Sequence, residues 1–144
     1  MKLSAKGRYA VRAMLFLAEK EQAGPQPLGV ITGAGLPRDY VEQLLGTLRR
    51  RGLILAARGP QGGYFLARPA SDISLGEVIE AVEGPLLLCE CAMDEHQCRK
   101  SGECAIRDSW VGLTNGIDDL MRNYSLRDML KGHTHLTQGE KSLL

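Results

Sequence analysis

A mainly α-helical fold with one small β-hairpin is the class this sequence predicts, and three observations predict it. Apolar residues recur at helical spacing in the first twenty residues, again after Pro37, and again for about five turns after Ala105. Two short β-like runs, LILAAR and YFLAR, flank the glycine-rich turn GPQGG, which is the pattern of a hairpin. With 144 residues and 44% hydrophobic content, the chain can bury one compact domain and still carry an appendage.

Each element has its own local signals. Ser4 reads as the N-cap of a first helix reaching about Glu21, with Ala10, Met14, Leu17 and Ala18 on one face and a stop near Gly24-Pro25. A short segment, Leu28 to Thr32, is ended by Gly33 and Gly35. In PRDYVEQLLGTLRRRG, Pro37 suits a first helical turn, Asp39 the positive end of the helix dipole, and Arg49, Arg50 and Arg51 its negative end. Tyr40, Val41, Leu44, Leu45 and Leu48 form the apolar face of this helix, which leaves Arg38, Glu42, Gln43, Gly46, Thr47 and Arg50 to project elsewhere. The hairpin follows Gly52. Ser74 then caps SLGEVIEAVEG, with Leu75, Val78, Ile79 and Val82 inward and Gly84-Pro85 as the stop. In the next periodic segment Ile106, Trp110, Leu113, Ile117, Leu120, Met121 and Tyr124 form one stripe of a long amphipathic helix. Ser125 caps a short final helix, SLRDML.

The order helix, short helix, helix, hairpin is that of a winged helix-turn-helix. The expected organisation is a winged helix-turn-helix over 1–84, a cysteine-rich loop over 85–104, a dimerisation helix with a short final helix over 105–131, and a mobile polar tail over 132–144.

A net charge of +1 conceals a division. Residues 1–70 hold eleven Lys and Arg against four Asp and Glu, whereas residues 71–144 hold seven against thirteen. Solvated helix faces can produce such a split, but a basic half built on this motif order fits double-stranded DNA. The third helix would enter the major groove, where Arg38, Gln43 and Thr47 can bond base edges beside Tyr40 and Glu42. Arg49, Arg50, Arg58 and Gln61 would meet phosphates or the minor groove, while Arg51 equally fits charge compensation at a helix C-terminus. No apolar run reaches membrane-spanning length, and Lys2, Lys6, Arg8 and Arg12 sit among apolar residues rather than before a cleavable block. The expectation is a cytoplasmic protein with no membrane partner. No paired carboxylates, nucleophile motif or phosphate-binding glycine loop suggests an enzyme.

Cys89, Cys91, Cys98 and Cys104 fall within sixteen residues. Structural disulfides need an oxidising compartment, so the clustering favours a metal or redox site. Four thiolates can hold zinc, yet structural zinc sites usually pair Cys-x-x-Cys knuckles, which are missing here. An iron-sulfur cluster suits soft thiolates on a wrapping loop. A redox disulfide is the other alternative, and an electron carrier would leave the basic half unexplained.

The opening LSAKGRYAVRAMLFLA, the segment PRDYVEQLLGTLRRRGLILAARGPQGGYFLARP, the run ISLGEVIEAVEG and the cysteine loop followed by Trp110 closely resemble the IscR-type regulators. This bacterial family of winged-helix transcriptional regulators includes iron-sulfur, nitric-oxide and redox sensors. The resemblance runs from Met1 to about Leu130. It implies a symmetric homodimer joined through the long helix, recognition of a partly palindromic operator, and a cluster, 2Fe-2S or 4Fe-4S, ligated by Cys91, Cys98 and Cys104. Two departures concern the fourth ligand. Cluster-assembly regulators carry a histidine three residues after the third cysteine, where this chain has Arg107, and other relatives use an acidic residue near the eighth position of the partner chain, here Arg8. A guanidinium stays protonated and cannot ligate iron. Cys89 is the first replacement and His96 the second, although Cys89 equally suits a small packed hydrophobe after Leu86-Leu87-Leu88.

Overall fold

The computed structural model describes residues 3–33, 37–89 and 104–137. Helix α1 spans Ala5–Glu19, α2 Leu28–Thr32 and α3 Arg38–Arg50; strands β1 (Ile54–Ala57) and β2 (Gly63–Leu66) follow. A single 3-10 turn, Ala70–Asp72, leads into α4 (Leu75–Glu83), and α5 (Arg107–Arg122) and α6 (Leu126–Thr137) complete the described chain.

Local chemistry explains these limits. The Ser4 hydroxyl accepts the Gly7 N–H at 3.2 Å and so caps α1. Pro37 stands at the N-cap of α3, one position before the first helical turn where the sequence placed it. At the other end of α3, Gly52 N–H bonds the Arg49 carbonyl and Leu53 N–H the Leu48 carbonyl, the paired bonds of a Schellman stop. That stop requires the positive φ of 73° that Gly52 supplies. Ser74 and Glu77 make a capping box on α4, the hydroxyl accepting Glu77 N–H and the carboxylate accepting Ser74 N–H.

The core lies where α1, α3 and α4 face one another. Ala10, Ala13, Met14, Leu17 and Ala18 of α1 meet Val41, Leu44, Leu45 and Leu48 of α3 and Val78, Ala81 and Val82 of α4. Ile31, Leu53, Ile54, Ile73 and Leu126 close the cluster. Each large apolar side chain removed from water there contributes about 1.5–3 kcal/mol relative to exposure. On α4 the buried set is Gly76, Val78, Ile79, Ala81 and Val82, so Leu75, expected inward, is only half-buried.

The strands pair antiparallel with Ile54 opposite Leu66 and Ala57 opposite Gly63. Gln26, just before α2, adds a separate rung to β2 through Gln26 N–H to Tyr64 O at 2.8 Å and Tyr64 N–H to Gln26 O at 2.9 Å. A second bridge joins Ser74 to Ser125: Leu75 N–H donates to Tyr124 O at 2.8 Å and Leu126 N–H to Ile73 O at 2.9 Å. This bridge sets the start of α6 beside the start of α4, and Leu126 enters the core fully buried. Helix α6 runs on through Gly132 to Thr137, past the point where the sequence ended it. No described helix is long and apolar enough to cross a membrane.

Candidate nucleic-acid interface and cysteine segment

With one face of α3 spent on the core, its opposite face is left to solvent. Asp39, Glu42, Gln43, Gly46, Thr47 and Arg50 line one shallow groove there. Of the residues singled out from the sequence, this brings together Glu42, Gln43, Thr47 and Arg50; Arg38 and Arg49 are exposed on the same helix outside the groove. Arg50 Nη2 donates to Thr47 Oγ1 at 3.1 Å, and the Thr47 hydroxyl donates in turn to the Gln43 carbonyl at 3.2 Å. Tyr40 is placed differently. It is half-buried and meets Tyr9 edge-on with ring centroids 5.7 Å apart, so its ring spends its apolar surface joining α3 to α1.

Arg58 and Gln61 are exposed in the turn between β1 and β2. The turn closes through Gly62 N–H to Gly59 O at 2.9 Å, and the Gln26 rung braces the strand that leaves it. A Cβ on Gly63 would stand 2.3 Å from Gln26 O, so this close backbone approach exists because position 63 has no side chain. Sequence reasoning missed Gln26 as the brace, since its partner lies far along the chain. The glycine pair at 62 and 63 was the available signal.

The cysteine segment lies between α4 and α5. Cys89 follows α4 by a few residues and Cys104 stands at the start of α5, its carbonyl accepting the Arg107 N–H at 3.2 Å. Both cysteines are partly exposed. Cys91, His96 and Cys98 lie outside the described residues. Among the described residues no three His, Cys, Asp or Glu side chains gather to hold a metal. The described donors are two soft thiols, one at each end of the segment, a donor type that fits an iron-sulfur cluster. Arg107, half-buried, opens α5, and Arg8 is exposed on α1.

The helices on either side of this segment are tied together. Arg122 of α5 bonds Asp118 Oδ2 at 2.7 Å on its own helix and the Glu80 carboxylate on α4. The bond to Asp118, then that to Glu80, hold the guanidinium pKa above its ordinary value. Gly76 makes room for this contact, because a Cβ there would stand 2.9 Å from Arg122 Cγ. Beyond that contact α5 and its flanks present apolar side chains to solvent: Ile106, at the N-cap, is 56% exposed, Leu113 54%, Leu120 62% and Tyr124, just past the end, 52%.

Comparison with known proteins agrees with this architecture. The family model Rrf2, described as iron-dependent transcriptional regulator, matches residues 3–132. The HTH-type transcriptional regulator IscR of Pectobacterium atrosepticum is 37% identical over 142 residues, covering 98% of this chain and 86% of that protein. The IscR of Escherichia coli is 38% identical over 131 residues, or 90% of this chain and 80% of that one. Among solved structures, T. potens IscR superposes with a TM-score of 0.76 at 34% identity, covering 99% of this chain and 94% of the other. CymR, the global cysteine regulator of B. subtilis, gives a TM-score of 0.75 at 34% identity, covering 90% and 95% respectively. An exposed helix face beside a braced wing, on a fold and sequence shared with these regulators, leaves one assignment: this chain belongs to the Rrf2 family of winged-helix, DNA-binding transcriptional regulators and is not an enzyme.

Proposed function

We propose that the chain works in the cytoplasm as a homodimer whose affinity for a partly palindromic operator is set by an iron-sulfur cluster on the cysteine segment. The observation that carries this reading is the place of that segment. It joins α4, whose inner face is part of the DNA-binding core, to α5, whose apolar stripe is open to a second copy. A stripe of this size on a small protein is stabilised by burial against an equivalent surface, and a two-fold axis supplies one. Two copies of α3 would then stand about one turn of DNA apart, roughly 34–36 Å.

Cys91, Cys98 and Cys104 would hold the cluster, whether 2Fe-2S or 4Fe-4S, with Cys89 as the first candidate for the remaining position. When bound, the cluster supplies a centre sensitive to oxidation and to small ligands. The protein's own part is mechanical. Cys104 is joined through its carbonyl to the first turn of α5, and the Arg122–Glu80 pair carries the position of α5 to α4. An effector that fits one arrangement of these helices better than another shifts the population toward it, and operator affinity follows.

The test is anaerobic reconstitution, with the visible absorption spectrum, iron and acid-labile sulfide per chain, and operator affinity measured before and after cluster removal. Charge-transfer bands with matched iron and sulfide, and an affinity that changes on removal, are expected. Substituting Cys91, Cys98 and Cys104 together should abolish both. A colourless protein holding zinc, or one whose operator affinity ignores the cluster, would overturn the reading.

A further inference from the structure

The exposed face of α3 carries an internal arrangement of its own. Side chains on a helix lean toward its N-terminus. Arg50 follows this rule: its guanidinium folds back along the helix until Nη1 lies 3.6 Å from where a Cβ on Gly46 would stand. Arg50 therefore delivers its charge a full turn earlier than its backbone position, into the groove shared with Glu42 and Gln43. Thr47 fixes it there. The Thr47 hydroxyl gives its proton to the Gln43 carbonyl, so the lone pairs are left to face Arg50 Nη2, and the bond measures 3.1 Å. A hydroxyl already committed as a donor cannot turn to compete with the guanidinium. Gly46 completes the shelf. Glycine is a poor residue for a helix interior, yet at 46 it leaves a low, flat patch of backbone on the groove side of the helix, flanked by half-buried Thr47.

We propose that Arg50 is a base-reading residue, held by Thr47 over the shelf at Gly46, and that it selects guanine at one position in each half-site. Guanine presents two acceptors, N7 and O6, on its major-groove edge, and a planar guanidinium offers paired donors that match them. One of the five donors is spent on Thr47, which leaves the fork oriented before DNA arrives and lowers the entropy cost of docking. Thr47 is a positioning residue in this arrangement, acting through Arg50. The neighbouring Arg49 is exposed but lies outside the groove, and in this arrangement it would contact phosphate without reading sequence. The proposal rests on α3 being the helix that enters the major groove.

The experiment is binding selection from a randomised duplex pool, with affinities then measured over a range of salt for the intact protein and for the variants Arg50→Lys, Arg50→Ala, Thr47→Val, Thr47→Ser and Gln43→Ala. Arg50→Lys should cost roughly 5- to 150-fold in preference for guanine at a single symmetric position while leaving the other positions unchanged. Thr47→Val should weaken the preference at that same position, and Thr47→Ser should restore it. If Arg50→Ala lowers affinity by one factor on every sequence and reduces the salt slope by about one per phosphate no longer neutralised, Arg50 binds the DNA backbone and the proposal is wrong. If Thr47→Val selects the same sequence as the parent with undiminished guanine preference, the positioning role is wrong. Gln43→Ala separates the two levels: a changed selection with Gln43→Ala but not with Arg50→Lys overturns the proposal alone, whereas no change with either overturns the placement of α3 in the groove.

Discussion

Arg127 on α6 donates to Glu21 Oε2 at 2.5 Å, while the other oxygen of the same carboxylate accepts the Ala70 N–H at 2.9 Å. One side chain just past the end of α1 therefore holds both the turn before α4 and the last helix.

Its two bonds differ in weight. Ala70 is fully buried, and its N–H would be left without an acceptor in Glu21→Ala. Arg127 is 46% exposed, so its side of the ion pair is screened. Glu21→Ala should destabilise the fold by about 1–3 kcal/mol, and Arg127→Ala by less than about 1 kcal/mol. Glu21→Gln, which keeps an acceptor oxygen, should resemble Arg127→Ala. Urea denaturation followed by circular dichroism reads all three.

Glu77 gives the fold an acid limit. Burial pushes its carboxyl pKa up, but the Ser74 N–H, the Arg68 guanidinium at 2.7 Å and the Ser74 hydroxyl together outweigh burial and hold it below the usual value of 4.5. A carboxyl lowered on folding stabilises fully above its unfolded value, and that contribution disappears as pH falls through the folded one. The stability difference between the parent and Glu77→Gln should be constant from neutrality to about pH 5 and shrink below about 4.5. A difference that grew on acidification would contradict the capping-box assignment.

Gly63→Ala tests the brace on the wing. The added methyl would meet the Gln26 backbone, which cannot swing aside like a side-chain end. Destabilisation by about 1–3 kcal/mol is expected, with faster hydrogen exchange at Gln26 and Tyr64 and weaker operator binding. Unchanged exchange at those two amides would show that the rung is not held by close approach.

Leu113→Asp and Leu120→Asp address the open stripe on α5. Both side chains are more than half exposed in the single chain, so neither change should unfold it. Sedimentation should show the proposed dimer becoming a monomer, and operator affinity should fall by a factor of ten or more, on the order of the loss of one half-site. A variant that stayed dimeric would move the interface elsewhere.

The parts of the fold legible in the sequence are those set by neighbours in the chain. Ala10, Met14, Leu17 and Ala18 read as one face of α1, and Val41, Leu44, Leu45 and Leu48 as one face of α3, because helical period is local; all eight are buried. The Ser4 and Ser74 caps and the hairpin around GPQGG are readable for the same reason. What the sequence hides depends on distant partners. Glu21 meets residues 49 and 106 positions away, and nothing near Glu21 distinguishes it from any polar residue at a helix end. Tyr40 reads both as part of the apolar face and as a DNA contact, and only the position of Tyr9 shows where the ring goes. Gly132 and the polar residues after it suggest a stop, yet one glycine does not end a helix that is otherwise supported.

The backbone bridge between Ser74 and Ser125 has a consequence for how this protein could change over generations. Once α4 has packed into the core, the stretch from Gly84 to Tyr124 is an excursion whose return is stapled beside the start of α4. Lengthening such an excursion costs little, about 0.6 kcal/mol for each doubling of a flexible loop. The cysteine segment can therefore gain, lose or exchange residues while the DNA-binding core keeps its shape. A backbone nick between Gly84 and Cys104 should leave two fragments that migrate as one particle under native conditions, held by the Ser74–Ser125 staple, the Arg122–Glu80 pair and the burial of Leu126. Separate evolvability of segment and core is built into where the chain departs and where it returns.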